Sequence, residues 1–235
     1  MLSHEEVLKR QLFYQQIFSE SVFDRIQAER ECFWPVEIYD AKIEGLKNRD
    51  FKDPVKLITA SPVILGLTFD NIDAKIKGLQ ERGFKDPIKL ITTLPAIFCY
   101  AFDNIDAKIE GLKDRGFKDP IKLITTLQSI LGFAFDNIDA KIRGLQERGF
   151  KDPIKLITRF PSILGYAFEN IDRKIRFARR VGYLNFVPLI EYCPMLLGLS
   201  IKRYFFVARE LRSLNADEIT FSLICRTQRK MSVKV

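Results

Sequence analysis

The sequence predicts an all-α solenoid of about five 33-residue repeats, each made of two helices and a short third turn. Three observations lead there. The chain repeats itself with a fixed period: residues 72–104 and 105–137 agree at 25 of 33 positions, and residues 72–104 and 138–170 agree at 26. Every copy carries helix start and stop signals at the same places. No stretch alternates apolar and polar residues as a half-buried strand must, so no sheet is expected. A unit this short cannot bury its apolar face alone, and stacking it on its neighbours closes a continuous core.

The period sets the boundaries. Residues 1–38 form an N-terminal helical cap, and residues 39–203 form the array, divided into 39–71, 72–104, 105–137, 138–170 and a degenerate 171–203. Residues 204–235 form a C-terminal half repeat with a basic tail. End caps are expected because an exposed internal unit would leave its apolar face in water.

Each element of a repeat has its own signal. The first helix, Asn104 to Arg115 in the third copy, places Ile105, Ile109 and Leu112 on one stripe. Asp103 is the expected N-cap, with Asp106 reaching back to it as in a capping box. Gly116 is placed to take the left-handed position after the helix. Asp119-Pro120 then opens a second helix, with Asp as cap and Pro where its missing N–H costs nothing. That helix holds Ile121, Leu123, Ile124 and Leu127. In the second and fourth copies it ends before Pro95 and Pro161, since a residue preceding proline resists helical geometry. A Pro-Ser-Ile-Leu-Gly-type turn closes the unit. The recurring Phe84, Phe117, Phe150 and Phe102, Phe135, Phe168 read as inter-repeat core rather than as stacking platforms for bases.

Composition narrows the function. The 235 residues are 47% hydrophobic and 29% charged, the balance of an ordinary globular protein. Apolar runs fall far short of the roughly 20 residues a membrane span needs, so no membrane partner is expected. The first 35 residues mix Glu, Lys and Arg and read neither as a signal peptide nor as a transit peptide. Cys32, Cys99, Cys193 and Cys225 lack the close spacing of a zinc site or redox pair; a disulfide stays open, and the reading taken is buried reduced thiols in an intracellular protein. The single histidine, His4, reads as a surface residue. No nucleophile–base set and no phosphate-binding glycine loop occurs, so the chain is expected to be no enzyme and to need no cofactor or metal.

Charge is unevenly spread. The formal net charge is +8, yet residues 1–37 carry −3, residues 38–71 are neutral, and the next three copies carry +1, 0 and +2. Residues 171–235 carry +8. Five cations, Arg173, Lys174, Arg176, Arg179 and Arg180, crowd into eight residues of one helix, and Lys202 and Arg203 follow. Such a cluster repels itself and calls for a polyanion. In the regular copies Lys75/Arg82, Lys108/Arg115 and Lys141/Arg148 fall on one edge of the first helix, as Lys42/Arg49 do in the first copy. Stacking would align them as a basic ribbon. Lys56, Lys89, Lys122 and Lys155 form a second column on the second helix.

The landmarks Ile138, Lys141, Leu145, Gly149-Phe150 and Pro161-Ser162-Ile163-Leu164-Gly165, with Ile171, Lys174, Gly182, Pro194 and Leu196-Leu197-Gly198 in the last copy, resemble the motif of the mitochondrial transcription termination factor (mTERF) family. The resemblance spans roughly residues 39 to 225. Gln128 stands in place of the landmark proline, Cys99 in place of a glycine, and Asp50 in place of the glycine after the helix. The resemblance implies a left-handed superhelix of three-helix units that binds nucleic acid without catalytic residues, double-stranded DNA foremost and RNA in some members. It also implies a role in transcription regulation or termination and an organellar site of action, where the residues alone lead one to expect an intracellular, cytoplasmic protein.

The expected function is therefore phosphate-backbone binding through the ribbons and the C-terminal cluster by a monomer. Positions that vary between copies, Lys77/Glu110/Arg143 and Thr93/Thr126/Arg159, are candidate base readers. The alternative is a protein-interaction scaffold, favoured by the near-neutral middle of the array.

Overall fold

The computed structural model describes residues 36–180 and 186–200, together with Lys9, Leu12, Phe13, Gln15, Gln16 and Arg203. The expected N-terminal cap, His4, Cys32, Cys225, Lys202 and the C-terminal half repeat lie outside the described residues, apart from the few just named. The described residues are all-helical and contain no strand.

Ten helices follow one another among them in pairs: α1 (Val36–Lys47) and α2 (Pro54–Ala60), α3 (Phe69–Glu81) and α4 (Pro87–Thr93), α5 (Phe102–Asp114) and α6 (Pro120–Thr126), α7 (Phe135–Glu147) and α8 (Pro153–Arg159), α9 (Phe168–Arg180) and α10 (Phe186–Tyr192). A 3₁₀ turn closes each pair, at Pro62–Gly66, Pro95–Cys99, Gln128–Gly132, Pro161–Gly165 and Pro194–Gly198. This is the helical repeat of the α-solenoid class. The chain divides into two compact units, Met1–Lys108 and Ile109–Val235, each holding two regular repeat junctions.

Local chemistry explains the elements. The seven-residue second helices are too short to persist alone, and in the four regular copies each is fixed at its start by two devices. Asp53, Asp86, Asp119 and Asp152 each accept a hydrogen bond from the backbone N–H three residues on, at 2.8–2.9 Å, and a proline follows each at the first helical position. The first helices of the four regular copies, α1, α3, α5 and α7, each end in a Schellman motif. Gly83 donates to the Gln80 carbonyl at 2.9 Å and Phe84 to that of Leu79 at 3.1 Å, with Gly83 at φ +89°. Gly116 and Gly149 repeat it at φ 88° and 86°. In the first copy Asp50 takes the left-handed position, at φ 66°.

The motif turns the following phenylalanine inward. Phe51, Phe84, Phe117 and Phe150 are each about 2% exposed, among fully buried Leu46, Leu79, Leu112 and Leu145. Each such side chain contributes about 1.5–3 kcal/mol over leaving it in water, so the core is built of equal portions, one per copy.

Two expectations at the first helix are corrected. That helix begins at Phe102 rather than after Asp103, so Asp103 lies in its first turn and is not the N-cap. Charge near the helix start suits it there. In the second copy the cap is Thr68, whose Oγ1 accepts from the Asn71 N–H at 3.2 Å. Asp106 forms no capping box, because its carboxylate is committed elsewhere. Cys99 is an exposed free thiol, against the expectation of burial, whereas Cys193 is buried and free.

Candidate nucleic-acid interface

The cations divide into those consumed by repeat junctions and those left over. At the junction after α3, Arg82 donates through Nε and Nη2 to the two carboxylate oxygens of Asp106 in the next copy, both at 2.7 Å, and through Nη1 to the Gly78 carbonyl at 2.9 Å. Its guanidinium lies 4.1 Å from the centre of the Phe102 ring, and Lys75 Nζ lies 4.5 Å from the same ring. Lys75 Nζ donates to the Tyr100 carbonyl at 2.6 Å. Gly78 leaves the space that the ring edge fills.

The set recurs. Arg49 pairs with Asp73, Arg115 with Asp139 and Arg148 with Asp172, each at 2.6–2.7 Å. Lys42 and Lys141 donate to the Leu67 and Tyr166 carbonyls. Lys42, Lys108 and Lys141 are only 6–8% exposed. Burial, and next the neighbouring arginine, pushes Lys42, Lys75 and Lys141 below the usual lysine range. Hydrogen bonds from arginine hold Asp73, Asp106, Asp139 and Asp172 below the usual carboxylate range.

The structure thus places Lys75, Arg82, Lys108, Arg115, Lys141 and Arg148 inside the array rather than along a free ribbon. The arginines already have carboxylate and ring partners, Lys108 and Lys141 are buried, and the half-buried Lys75 gives its ammonium to the Tyr100 carbonyl. Arg159, expected to read bases, donates to the Glu191 and Tyr192 carbonyls at the end of α10, at 2.6 and 2.8 Å. Thr93 and Thr126 donate their hydroxyls to their own helix, at 2.9 and 2.8 Å. Lys77, Glu110 and Arg143 are exposed, and Lys77 lies 3.9 Å from Glu81.

The last copy breaks the pattern. In register, Phe177 replaces the junction glycine, Val181 the arginine, Ile201 the phenylalanine and Phe205 the aspartate. The arginines of α9 are therefore not drawn into a junction of the regular kind. Lys174 keeps the old role and donates to the Leu197 carbonyl. Arg173, Arg176, Arg179 and Arg180 are exposed, and at 100° per residue they fall within about 120° of the helix surface. Ile171, Ile175 and Ala178 bury the opposite side. Arg173 donates to the Asn170 side chain. Arg176, Arg179 and Arg180 have no ion-pair partner among the described residues. Arg203 is partly exposed, and its backbone N–H donates to the Ser200 carbonyl at 3.1 Å. A row of guanidinium groups outside any ion pair suits phosphate oxygens, which accept paired hydrogen bonds from the planar fork.

A second set of cations is exposed on the second-helix side: Lys56, Lys89, Lys122 and Lys155, joined by Lys52, Lys85, Lys118 and Lys151 just before each cap. None of their ammonium groups has an ion-pair partner among the described residues. The latter four were not singled out from sequence, although their constant place in Phe-Lys-Asp-Pro marks them.

Among the described residues no helix is long and apolar enough to cross a membrane, and no group of His, Cys, Asp and Glu could hold a metal ion. Comparison with curated proteins finds no match. The mTERF family model matches residues 52–224. That range takes in every regular junction from α2 onward and the arginine helix α9, and on it the chain belongs to the mTERF family.

Proposed function

We propose that this chain is a nucleic-acid-binding helical repeat protein without catalytic activity, anchored to the phosphate backbone by Arg173, Arg176, Arg179 and Arg180. The observation that carries the reading is the contrast between two kinds of arginine. Junction arginines each have a carboxylate of the following copy, while those of α9 crowd together on one exposed arc outside any ion pair among the described residues. Lys202 and Arg203 extend the same basic region in sequence. Double-stranded DNA is the favoured target, in keeping with mTERF membership, and transcription regulation or termination is the process that membership suggests. The protein acts as a monomer inside the cell or an organelle.

Fluorescence anisotropy with labelled duplex DNA, single-stranded DNA and RNA of matched sequence tests this, with an Arg176→Glu/Arg180→Glu variant alongside. Binding to one form that weakens steeply with salt and is lost in the variant supports the reading. Absence of binding to every form at low salt overturns it. That outcome would favour a protein partner, for which the acid-rich exposed side of α5, with Asp103, Glu110 and Asp114, is the surface to pursue.

A further inference from the structure

We infer that the exposed side of the second helices is a separate phosphate-binding surface, a lysine rail in each compact unit that follows a duplex backbone without reading its sequence. This rests on the nucleic-acid reading above and adds a surface to it. The first unit carries Lys52, Lys56, Lys85 and Lys89, and the second carries Lys118, Lys122, Lys151 and Lys155, all exposed.

Three features of the local chemistry set these lysines apart from an ordinary solvated face. The acid between each pair is occupied: Asp86 accepts from the Lys89 backbone N–H at 2.8 Å, and Asp119 from that of Lys122 at 2.9 Å. Its charge is thereby turned to the helix start, where it is favoured, and the flanking ammonium groups keep no acid partner among the described residues. The sign is also constant. Both positions are lysine in all four regular copies, whereas the exposed position on the first helix runs Glu44, Lys77, Glu110, Arg143. Finally, the hydroxyls on the next turn are spent within the helix, Thr92 donating to Ile88 at 2.7 Å and Thr125 to Ile121 at 2.7 Å. A face of lysine charges with its hydroxyl donors used internally can hold phosphates but offers little to base edges.

The fourth copy shows the same arrangement at a cleft of about 390 Å³ lined by Lys151, Lys155, Arg159 and Tyr192. Two acids line that cleft, and both are turned to backbone rather than to a lysine ammonium: Asp152 accepts from the Lys155 backbone N–H at 2.8 Å and Glu191 from that of Lys151 at 2.6 Å. In the fifth copy the two positions become Leu184 and Pro188, and the rail stops.

The test measures affinity for duplex DNA against salt for the full chain. It compares the Lys118→Gln/Lys122→Gln/Lys151→Gln/Lys155→Gln variant with Arg176→Gln/Arg180→Gln, using two unrelated duplex sequences. Removing one lysine–phosphate pairing should flatten the slope of log K against log salt by about 0.9, roughly eightfold in affinity at 0.1 M salt. The rail predicts that flattening in the lysine variant, equal for both sequences, and its recovery when the same four positions are arginine. A lysine variant that matches wild type in slope and affinity while the arginine variant weakens overturns the rail and leaves the α9 anchor standing. No binding by the wild-type chain overturns both.

Discussion

Arg82 and Asp106 meet fork to fork across 24 residues of sequence, Nε on one oxygen and Nη2 on the other, both at 2.7 Å. The arginine ends the first helix of one copy and the aspartate sits near the start of the first helix of the next, so the pair ties neighbouring copies in register. Its two-pronged geometry and its stacking on Phe102 need a planar guanidinium, which lysine cannot supply.

Acid should loosen the array. The folded pKa of Asp73, Asp106, Asp139 and Asp172 is depressed, first by the arginine hydrogen bond. Their contribution is complete above the unfolded carboxylate value of about 3.9 and is lost as pH falls through the lower folded values. Tm should hold steady down to about pH 5 and then drop, with a shallower drop in Asp106→Asn. Lys42, Lys75 and Lys141 act at the other end. Their folded pKa is also depressed, so the unfolded chain binds more protons in the window below the ordinary lysine value, and stability should rise with pH there. Thermal melts across pH read both limbs.

Gly78→Ala should destabilise. A methyl group there would lie 2.2 Å from Cζ of Phe102, whose ring is already covered by Lys75 and Arg82. Overpacking costs about 1–3 kcal/mol, and better helix propensity returns about 1 kcal/mol. A net loss of up to about 2 kcal/mol is expected in urea denaturation, with Phe102→Leu in the same chain recovering part of it.

Asp50 and Gly116 occupy the same left-handed position, at φ 66° and 88°. Nothing lies within 4 Å of a Cβ built on Gly116, so backbone strain alone separates the two residue types. Asp50→Gly should stabilise by up to about 1 kcal/mol, and Gly116→Ala should cost about 1–2 kcal/mol. A Gly116→Ala variant as stable as wild type would remove this account.

Gln128→Pro should stabilise by about 0.4–1 kcal/mol. Leu127 before it has φ −131° and ψ 80°, close to the −134° and 73° of Leu94, which precedes Pro95. The backbone is thus already set for proline, and the gain lies in restricting the unfolded chain. The only bond given up is that from the Gln128 side chain to the Thr125 carbonyl, at 2.8 Å. A lower melting temperature would count against it.

The period, the Asp-Pro starts, the glycine stops and the inward phenylalanines are legible because each is a local signal acting within a few residues. The start of the first helix lies two residues earlier than its sequence suggests, because Asp103 looks like a cap wherever it stands near a helix end. The fate of the basic ribbon is harder to read. Helical geometry correctly puts Lys108 and Arg115 on one edge, but whether that edge meets water or the next copy is a tertiary fact. One trace of it lies in the chain: Arg82 and Asp106 recur together at a spacing of 24, and in the last junction Val181 and Phe205 replace both members at once. Replacement in pairs is the mark of residues that touch. From sequence, the phosphate-binding role proposed for α9 rests on charge density alone, and the exposed arc of arginines is what the fold adds.

Every regular first helix offers a backward half, Phe and Asp, and a forward half, Lys, Gly and Arg, so any copy can follow any other. Insertion or deletion of one whole copy in frame would leave each remaining junction intact. The same complementarity carries a hazard, since two molecules with complete free ends could join head to tail into a filament. The ends of the array are one-sided instead: Val36 stands where the opening phenylalanine should be, and Phe177 and Val181 stand where the closing glycine and arginine should be. The sequence that makes the array extendable thus drops the ring at one end and the glycine and arginine that would receive it at the other, while Asp40 and Lys174 keep their places in the register.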